Sequence, residues 1–450
     1  NRNEWVVIFD MERKANGERF SLLRQVAIGS VESEDFRTMK RALFEASMES
    51  LALFAPLKPA SSASNPIQIL DFFSGAGGTS LGFAALNKVV PLFRFLAGCD
   101  IDQVSANTYA TNFGTPVTCE DVLDISKSAE SIQRFFEAKG YDASRPLILI
   151  GCAPCQGFSS HRKKDWGLGD DLRNNLAIAF SNIVAAAKPD VFVMENVPEF
   201  LSKRHWRYFE SAREVFLESG YTVKQAIYNA AAFGVPQERF RSLVVGMKKE
   251  FLLPDEVYTP TEYRTVRQAI AALRPLEAGE ADPEDKMHKA VAHKSSTIDV
   301  IRQVPHDGGS LPEGVGPECL ARVKGFSDVY GRLSWDKPSI TITHYARNPA
   351  SGRYSHPEQN RGLTAREAAR LQSFPDGFLF EGRSDDVYRQ IGEAVPPLLS
   401  CGIAASVIVE LLSVEPTLEQ LVSGTQCVEA PVSNSYSSVI AGLKNARRRS

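Results

Sequence analysis

Ile67-Gln68-Ile69-Leu70-Asp71-Phe72-Phe73-Ser74-Gly75-Ala76-Gly77-Gly78 carries an apolar run into an acidic residue and a glycine-rich turn, and Leu81-Gly82-Phe83-Ala84-Ala85-Leu86 opens a helix behind it. The order is strand, tight loop, helix, the first unit of an α/β sheet. Glycines in such a turn admit positive φ and let the backbone approach a ligand, while the helix N-terminus offers unpaired N–H groups. The spacing is neither the G-x-G-x-x-G of dinucleotide binders nor a phosphate loop with its Lys-Ser/Thr pair, which favours a nucleoside cofactor of another kind. Taken alone, the block also fits a purely structural turn.

Outward from it the pattern repeats. Phe95-Leu96-Ala97-Gly98-Cys99-Asp100 is a second short apolar strand, ending in an acid where a ribose-binding carboxylate belongs. Asp121, in Cys119-Glu120-Asp121-Val122, is a third candidate ligand, although each acid also suits a helix cap or a turn. Leu147-Ile148-Leu149-Ile150-Gly151 runs into Cys152-Ala153-Pro154-Cys155-Gln156. Cys155 is thereby expected at the carboxyl edge of a parallel sheet, where a thiolate is a candidate nucleophile. Cys152 and Cys155 form a C-x-x-C, but no second Cys pair or His cluster completes a metal site, so no metal is expected; an inert buried Cys is the alternative. Val191-Phe192-Val193-Met194-Glu195-Asn196-Val197 delivers a carboxylate to the same edge, which is costly unless it is paired or used. Strand alternation after Phe233-Gly234-Val235-Pro236 puts Gln237, Arg239 and Arg241 on one face. Thiol, carboxyl and two guanidiniums then converge.

With Arg361-Gly362-Leu363-Thr364-Ala365-Arg366-Glu367-Ala368-Ala369-Arg370-Leu371-Gln372-Ser373-Phe374-Pro375-Asp376 and Gln390-Ile391-Gly392-Glu393-Ala394-Val395-Pro396-Pro397, these blocks resemble, in order from Ile67 to Leu412, the DNA cytosine-5 methyltransferase family of the bacterial restriction–modification type. The resemblance implies a doubly wound, mostly parallel, Rossmann-like sheet with a smaller target-recognition domain. It also implies S-adenosylmethionine as donor and S-adenosylhomocysteine as product. Phe73 would stack on the donor's adenine, Asp100 would bind its ribose hydroxyls and Asp121 its amino group. Ser74, Gly75, Gly77, Gly78, Val122, Pro154, Glu393 and Ala394 would line the same site. Cys155 is implied as the nucleophile that adds to cytosine carbon 6. Glu195 would contact ring nitrogen 3 and the amino group, Arg241 would reach the 2-oxo group, and Arg239 would hold the site. Gln156, Ser159, Arg162, Lys163, Lys164 and Gln237 would meet double-stranded DNA.

Such chemistry requires a cytosine flipped out of the duplex. Gly157 to Gly169, with three consecutive cations and Trp166, reads as the loop that covers it, or else as a solvated basic loop. The net charge of −3 provides no overall basic field, so DNA binding must rely on a local cleft. Candidates are Arg162-Lys163-Lys164, Lys203-Arg204-His205-Trp206-Arg207, Arg347 and Arg353. Seven cysteines without framework spacing, no long apolar run and no visible signal peptide lead to the expectation of a cytoplasmic protein with no membrane contact, and the resemblance implies a monomer, nucleoid-associated in use, with a cognate restriction endonuclease as partner.

Residues 1–65 lie outside the resemblance and are expected to hold two strands about a turn at Asn16-Gly17, an amphipathic helix from Glu34 to Phe54 and a linker over 60–66. The expected catalytic and cofactor-binding domain covers 67–250, the target-recognition domain 251–340, a return to the catalytic domain 341–415 and a C-terminal tail 416–450 with a basic end from Lys444 to Ser450. His288 and His293, five apart, read as surface residues. Thr364 and Glu367 read as a capping box. One departure from the family stands at Glu393, where Asn is usual: a carboxylate there loses a donor and adds charge near a cationic sulfonium. Two alternatives share the fold: a transfer-RNA cytosine-5 methyltransferase, whose Cys-Phe-Thr signature is absent, and a catalytically impaired DNA-binding homologue, for which Glu393 is the only support.

Overall fold

A computed structural model describes residues 6–15, 18–27, 36–58, 67–154, 170–317, 328–413 and 416–433. A hairpin of β1 (Val6–Ala15) and β2 (Glu18–Ala27) precedes helix α1 (Phe36–Ala52). The alternation that begins at Ile67 then builds β3 (Ile67–Phe72), α2 (Gly78–Val89), β4 (Phe93–Asp100), α3 (Gln103–Phe113), β5 (Thr118–Cys119), α4 (Val122–Ile125), α5 (Ala129–Ala138), β6 (Leu147–Gly151), α6 (Asp170–Ala187), β7 (Val191–Asn196), α7 (Trp206–Glu218), β8 (Thr222–Asn229) and β9 (Phe240–Met247). The seven strands from β3 to β9 form one sheet in the order β5-β4-β3-β6-β7-β9-β8. All neighbours are parallel except β9, which runs against both β7 and β8.

Both faces of this sheet are covered, which is why its central strands are apolar throughout instead of alternating. Ile67, Ile69, Ile148, Ile150, Val191, Val193, Leu243 and Val245 face α1, α2 and the helix Pro397–Leu412. Leu70, Phe72, Leu147, Leu149, Phe192, Met194 and Val244 face α5, α6 and α7. The two-residue period then assigns Asp71, Glu195 and Arg241 to the first of these faces. Among the described residues no single helix is long and apolar enough to cross a membrane; Pro397–Leu412 is instead buried along most of its length.

Past Met247 the chain is largely irregular and is held by buried arginines. Arg332 is fully buried and donates to the carbonyls of Ile301, Val304, His356 and Gln359 and to Asn360 Oδ1. Arg361 holds Glu367 through two bonds of 2.8 and 2.7 Å. Burial alone would raise the Glu367 carboxyl, but Arg361 and His356 overcome this and bring it down to about 2. Glu367 also completes the expected capping box, since its carboxylate accepts from Thr364 N and its own N–H donates to Thr364 Oγ1. The surface reading of His288 is corrected: it is fully buried, with Nδ1 3.0 Å from Thr364 Oγ1 and Nε2 2.7 Å from Arg274 O. His293 is half-buried, and its Nε2 accepts from Gly362 N.

Candidate active site

Beyond Phe72 the backbone turns through positive φ at Phe73, Gly75 and Gly77. Gly77 is required twice over, because it caps α2 with φ 92° and a Cβ there would lie 2.3 Å from the Phe113 ring. Ser74 N–H donates to Cys99 O and Gly77 N–H to Ser74 O, which closes the turn. Two polar atoms in this loop, Ser74 Oγ and Asp71 Oδ1, are buried and have no hydrogen-bond partner among the described residues. Asp71 Oδ2 accepts from Ser80 Oγ at 2.7 Å, and Ser80 Oγ lies 2.8 Å from the Tyr109 hydroxyl. Burial, aided by the nearby Asp100 charge and opposed by the Ser80 bond, pushes Asp71 up to about 7.

Asp100, at the end of β4, is pinned by two backbone donors: Gly75 N–H on Oδ2 at 2.8 Å and Asp102 N–H on Oδ1 at 2.9 Å. Burial pushes its carboxyl up, only partly offset by these bonds. Ile101 beside it is 70% exposed, an apolar surface that the sequence pattern did not flag. Asp121 caps α4, accepting from Leu123 N, and Val122 is buried in that helix. The cap alternative for Asp121 is therefore realised; for Asp100 it is not, because Asp102 caps α3 instead.

The third wall comes from the far end of the chain. Ala394 and Val395 lie against the start of α2, so closely that a Cβ on Gly78 would meet Val395 O at 2.3 Å. Two side chains hold this segment from behind, and a third braces one of them. Arg239, 1% exposed, donates to Ile342 O (2.9 Å), Gly392 O (2.9 Å) and Ala394 O (3.1 Å). Gln372 Nε2 donates to Ala394 O at 2.8 Å. Gln237 in turn donates to Gln372 Oε1 and Leu371 O and accepts from Ile342 N. Glu393 is exposed at the rim. Its carboxyl is raised by burial of the surrounding site and by Asp100 and Asp102, with Arg389 pulling the other way. Arg389 itself bonds Asp102 Oδ2 at 2.9 Å, so the partner of Glu393 lies one turn back on its own helix, Ser384–Glu393.

Because β9 is antiparallel, its entry sits beside the exit of β7. Glu195 pairs in register with Leu243, which leaves Arg241 as its diagonal neighbour on the same face. Arg241 Nε stands 2.8 Å from Glu195 Oε1, with both side chains close to buried. Burial raises the Glu195 carboxyl against the pull of Arg241 and then Arg239. Asn196 Nδ2 donates to Ala153 O at 3.1 Å, tying β7 to the residue before Pro154. Cys152, near Thr79 Oγ1 at 3.2 Å, has its thiol pushed well up by burial and by Glu195 and Asp71, so it stays protonated and unreactive.

Asp71, Asp100, Glu195, Arg241 and the 392–395 segment thus come together at the carboxyl edge of the sheet. Pro154 is exposed there. Cys155, Gln156, Ser159, Arg162, Lys163 and Lys164 lie outside the described residues. Gln237 is corrected: it is fully buried, and its amide is spent on protein partners instead of facing DNA. Arg353 and Arg347 are likewise engaged, the first by Asp328 and the carbonyls of Gly308, Gly309 and Arg332, the second by Asp385. Sequence reasoning missed Asn196, Gln372 and Arg389, whose partners are backbone or distant in the chain.

A family model for C-5 cytosine-specific DNA methylases matches residues 67–408. The chain is 36% identical over 344 residues to the type II methyltransferase M1.HphI of Haemophilus parahaemolyticus, covering 75% of this chain and 86% of that one. It is 33% identical over 352 residues to the type II methylase M.HgiDII of Herpetosiphon aurantiacus, covering 75% and 94%. A solved structure of a prophage-encoded E. coli protein, assigned as a DNA modification methyltransferase, superposes with a TM-score of 0.57 at 24% identity, over 77% of this chain and all of that one.

Proposed function

The chain belongs to the C-5 cytosine-specific DNA methylase family, and from that premise we propose that it methylates cytosine in duplex DNA with S-adenosylmethionine, through Cys155, as the modification partner of a restriction endonuclease. The observation that carries the reading is the Glu195–Arg241 pair, buried at the same sheet edge as the glycine-rich loop. The loop suits a nucleoside methyl donor. Ser74 Oγ and Asp71 Oδ1 are buried and lack partners among the described residues, Asp100 offers a carboxylate fixed by two N–H groups, and Phe73 and Ile101 supply apolar surface for a base. S-adenosylmethionine supplies an electrophilic methyl group on a cationic sulfur; the rest of the chemistry belongs to the chain.

Carbon 5 of cytosine is a poor nucleophile. The Cys155 thiolate adds to carbon 6, and the electron pair displaced from the 5,6 double bond makes carbon 5 nucleophilic. Glu195, whose carboxyl is raised by burial against the pull of Arg241 and Arg239, meets ring nitrogen 3 and stabilises the charge that arrives there. Arg241 fixes that carboxyl and polarises the 2-oxo group. After methylation the carbon 5 proton leaves to a base and Cys155 is expelled, which restores the double bond. Arg239 acts from behind by clamping the 392–394 backbone. The segment 251–340 is read as the part that recognises the target sequence.

The test is transfer of tritiated methyl from S-adenosylmethionine to unmethylated duplex DNA, with bisulfite sequencing of the product. Transfer is expected at cytosine in one short sequence context, and Cys155→Ala is expected to abolish it. No transfer by the intact chain, or undiminished transfer by the variant, overturns the reading.

A further inference from the structure

Between Glu195 and α7 the chain makes a short 3₁₀ turn, Pro198–Leu201, and then exposes Lys203, Arg204 and Arg207 at the carboxyl edge of the sheet. We propose that this turn is a second DNA-backbone contact, in which Lys203 and Arg207 bind phosphates of the duplex flanking the target cytosine. The inference rests on the DNA-methylating reading and adds to it a phosphate-binding surface outside the Gly157–Gly169 loop and the proposed recognition segment.

Three observations carry it. The first is position: β7 delivers Glu195 to the edge where the target base must arrive, and the turn follows within a dozen residues on that same edge. The second is charge. Several surface arginines elsewhere are paired with aspartates, as in Arg267–Asp336, Arg347–Asp385 and Arg353–Asp328. Among the described residues neither Lys203 nor Arg207 forms an ion pair with a carboxylate, and Glu210, one turn further along α7, does not reach Arg207. In a chain of net charge −3, two exposed cations without carboxylate partners at the substrate edge make a local positive site, and a polyanion is the partner that its chemistry fits.

The third is rigidity. The chain returns from Thr425 to lie along the outer edge of β8, with Val428 N–H on Gln225 O and Gln225 Nε2 on Val428 O. It reaches the turn itself at Val432, where Lys203 N–H donates to Val432 O and Val432 N–H to Leu201 O. This brace lies beyond residue 408, where the family match ends. Arg207 is steadied further, its guanidinium lying 4.6 Å from the centre of the Tyr208 ring. Holding the turn from both sides lowers the entropy lost when its cations engage a phosphate.

The experiment measures binding of the full chain to a labelled 20-base-pair duplex by fluorescence anisotropy between 50 and 200 mM NaCl, for wild type and Lys203→Gln/Arg207→Gln. Two lost phosphate contacts flatten the plot of log affinity against log salt by about 2. The double variant is expected to bind about tenfold or more weakly at the lowest salt, equally on specific and unrelated sequences. The charge-matched control Lys188→Gln/Lys248→Gln, at the opposite edge of the sheet, is expected to keep the wild-type slope. Lys203→Glu alone is the second probe, expected to weaken binding more than Lys203→Gln. An unchanged slope in the double variant, or an equal loss in the control, overturns the proposal. Failure of the wild-type chain to bind duplex DNA at all would instead overturn the functional reading on which it rests.

Discussion

Asp71 is a buried carboxylate that meets the Ser80 hydroxyl and, among the described residues, no cation, and its protonation therefore bears on the glycine-rich loop above it. Its folded pKa of about 7 lies above the ordinary 3.8. The native state thus holds the proton more tightly than the unfolded chain does. The stability it contributes is complete below about pH 4 and is lost as pH rises through 7. Asp71→Asn keeps the acceptor for Ser80 without the ionisation. Thermal melts from pH 5 to 8 are expected to show the variant gaining on wild type as pH rises, by up to a few kcal/mol; a constant difference would refute this. Glu393 presents the opposite case, a carboxylate at the rim with Arg389 nearby. Glu393→Asn is expected to leave donor affinity and turnover within about threefold, since partly exposed charges interact weakly through solvent; titration calorimetry and the methyl-transfer assay check this. At this scale the acids were legible because a carboxylate ending an apolar strand is expensive and must have a use. Gln237 and His288 were not, because nothing local distinguishes an amide or imidazole that bonds inward from one that faces water.

At the scale of elements, the reversed direction of β9 decides where chemistry gathers. A parallel strand brings its last residues to the carboxyl edge, whereas β9 brings its first ones, so Arg239 and Arg241 arrive next to Glu195 from the opposite sense of the chain. The two arginines then divide the work. Arg241 faces the carboxylate, and Arg239 binds three backbone carbonyls on two separate segments. Lysine cannot reproduce a planar, multi-donor grip on carbonyls set in different directions. Arg239→Lys is expected to cost about 2–4 kcal/mol in urea denaturation and to weaken donor binding more than DNA binding. Equal weakening of both ligands would argue against a clamp on the 392–394 segment. The arginine pair was visible as a motif, but the role of Arg239 was not, because its partners are main-chain oxygens that no side-chain pattern announces.

At the scale of the molecule, α1 lies outside the family match yet packs into the core, with Leu43, Phe44 and Leu51 buried against α2 and Pro397–Leu412. Lys40 pairs with Glu410 at 2.7 Å, both nearly inaccessible, and burial lowers the lysine pKa against the pull of that partner. Lys40→Met would strand the Glu410 charge and is expected to cost about 3–5 kcal/mol, while Lys40→Met/Glu410→Leu recovers most of it. Additive losses in this double-mutant cycle would refute the coupling. The helix itself was readable from its amphipathic pattern; its integration was not, because what covers an apolar stripe is decided hundreds of residues away. The same long reach governs the donor site. Gly78 touches Val395, and the two are separated by more than three hundred residues of chain. A ribosome adding about 5–20 residues per second makes the first of these tens of seconds before the second. Throughout that interval the glycine-rich loop exists without its closing wall. Until residue 395 has been made, the nascent chain lacks the wall against which the glycine-rich loop packs, so the proposed donor site is completed only at that point.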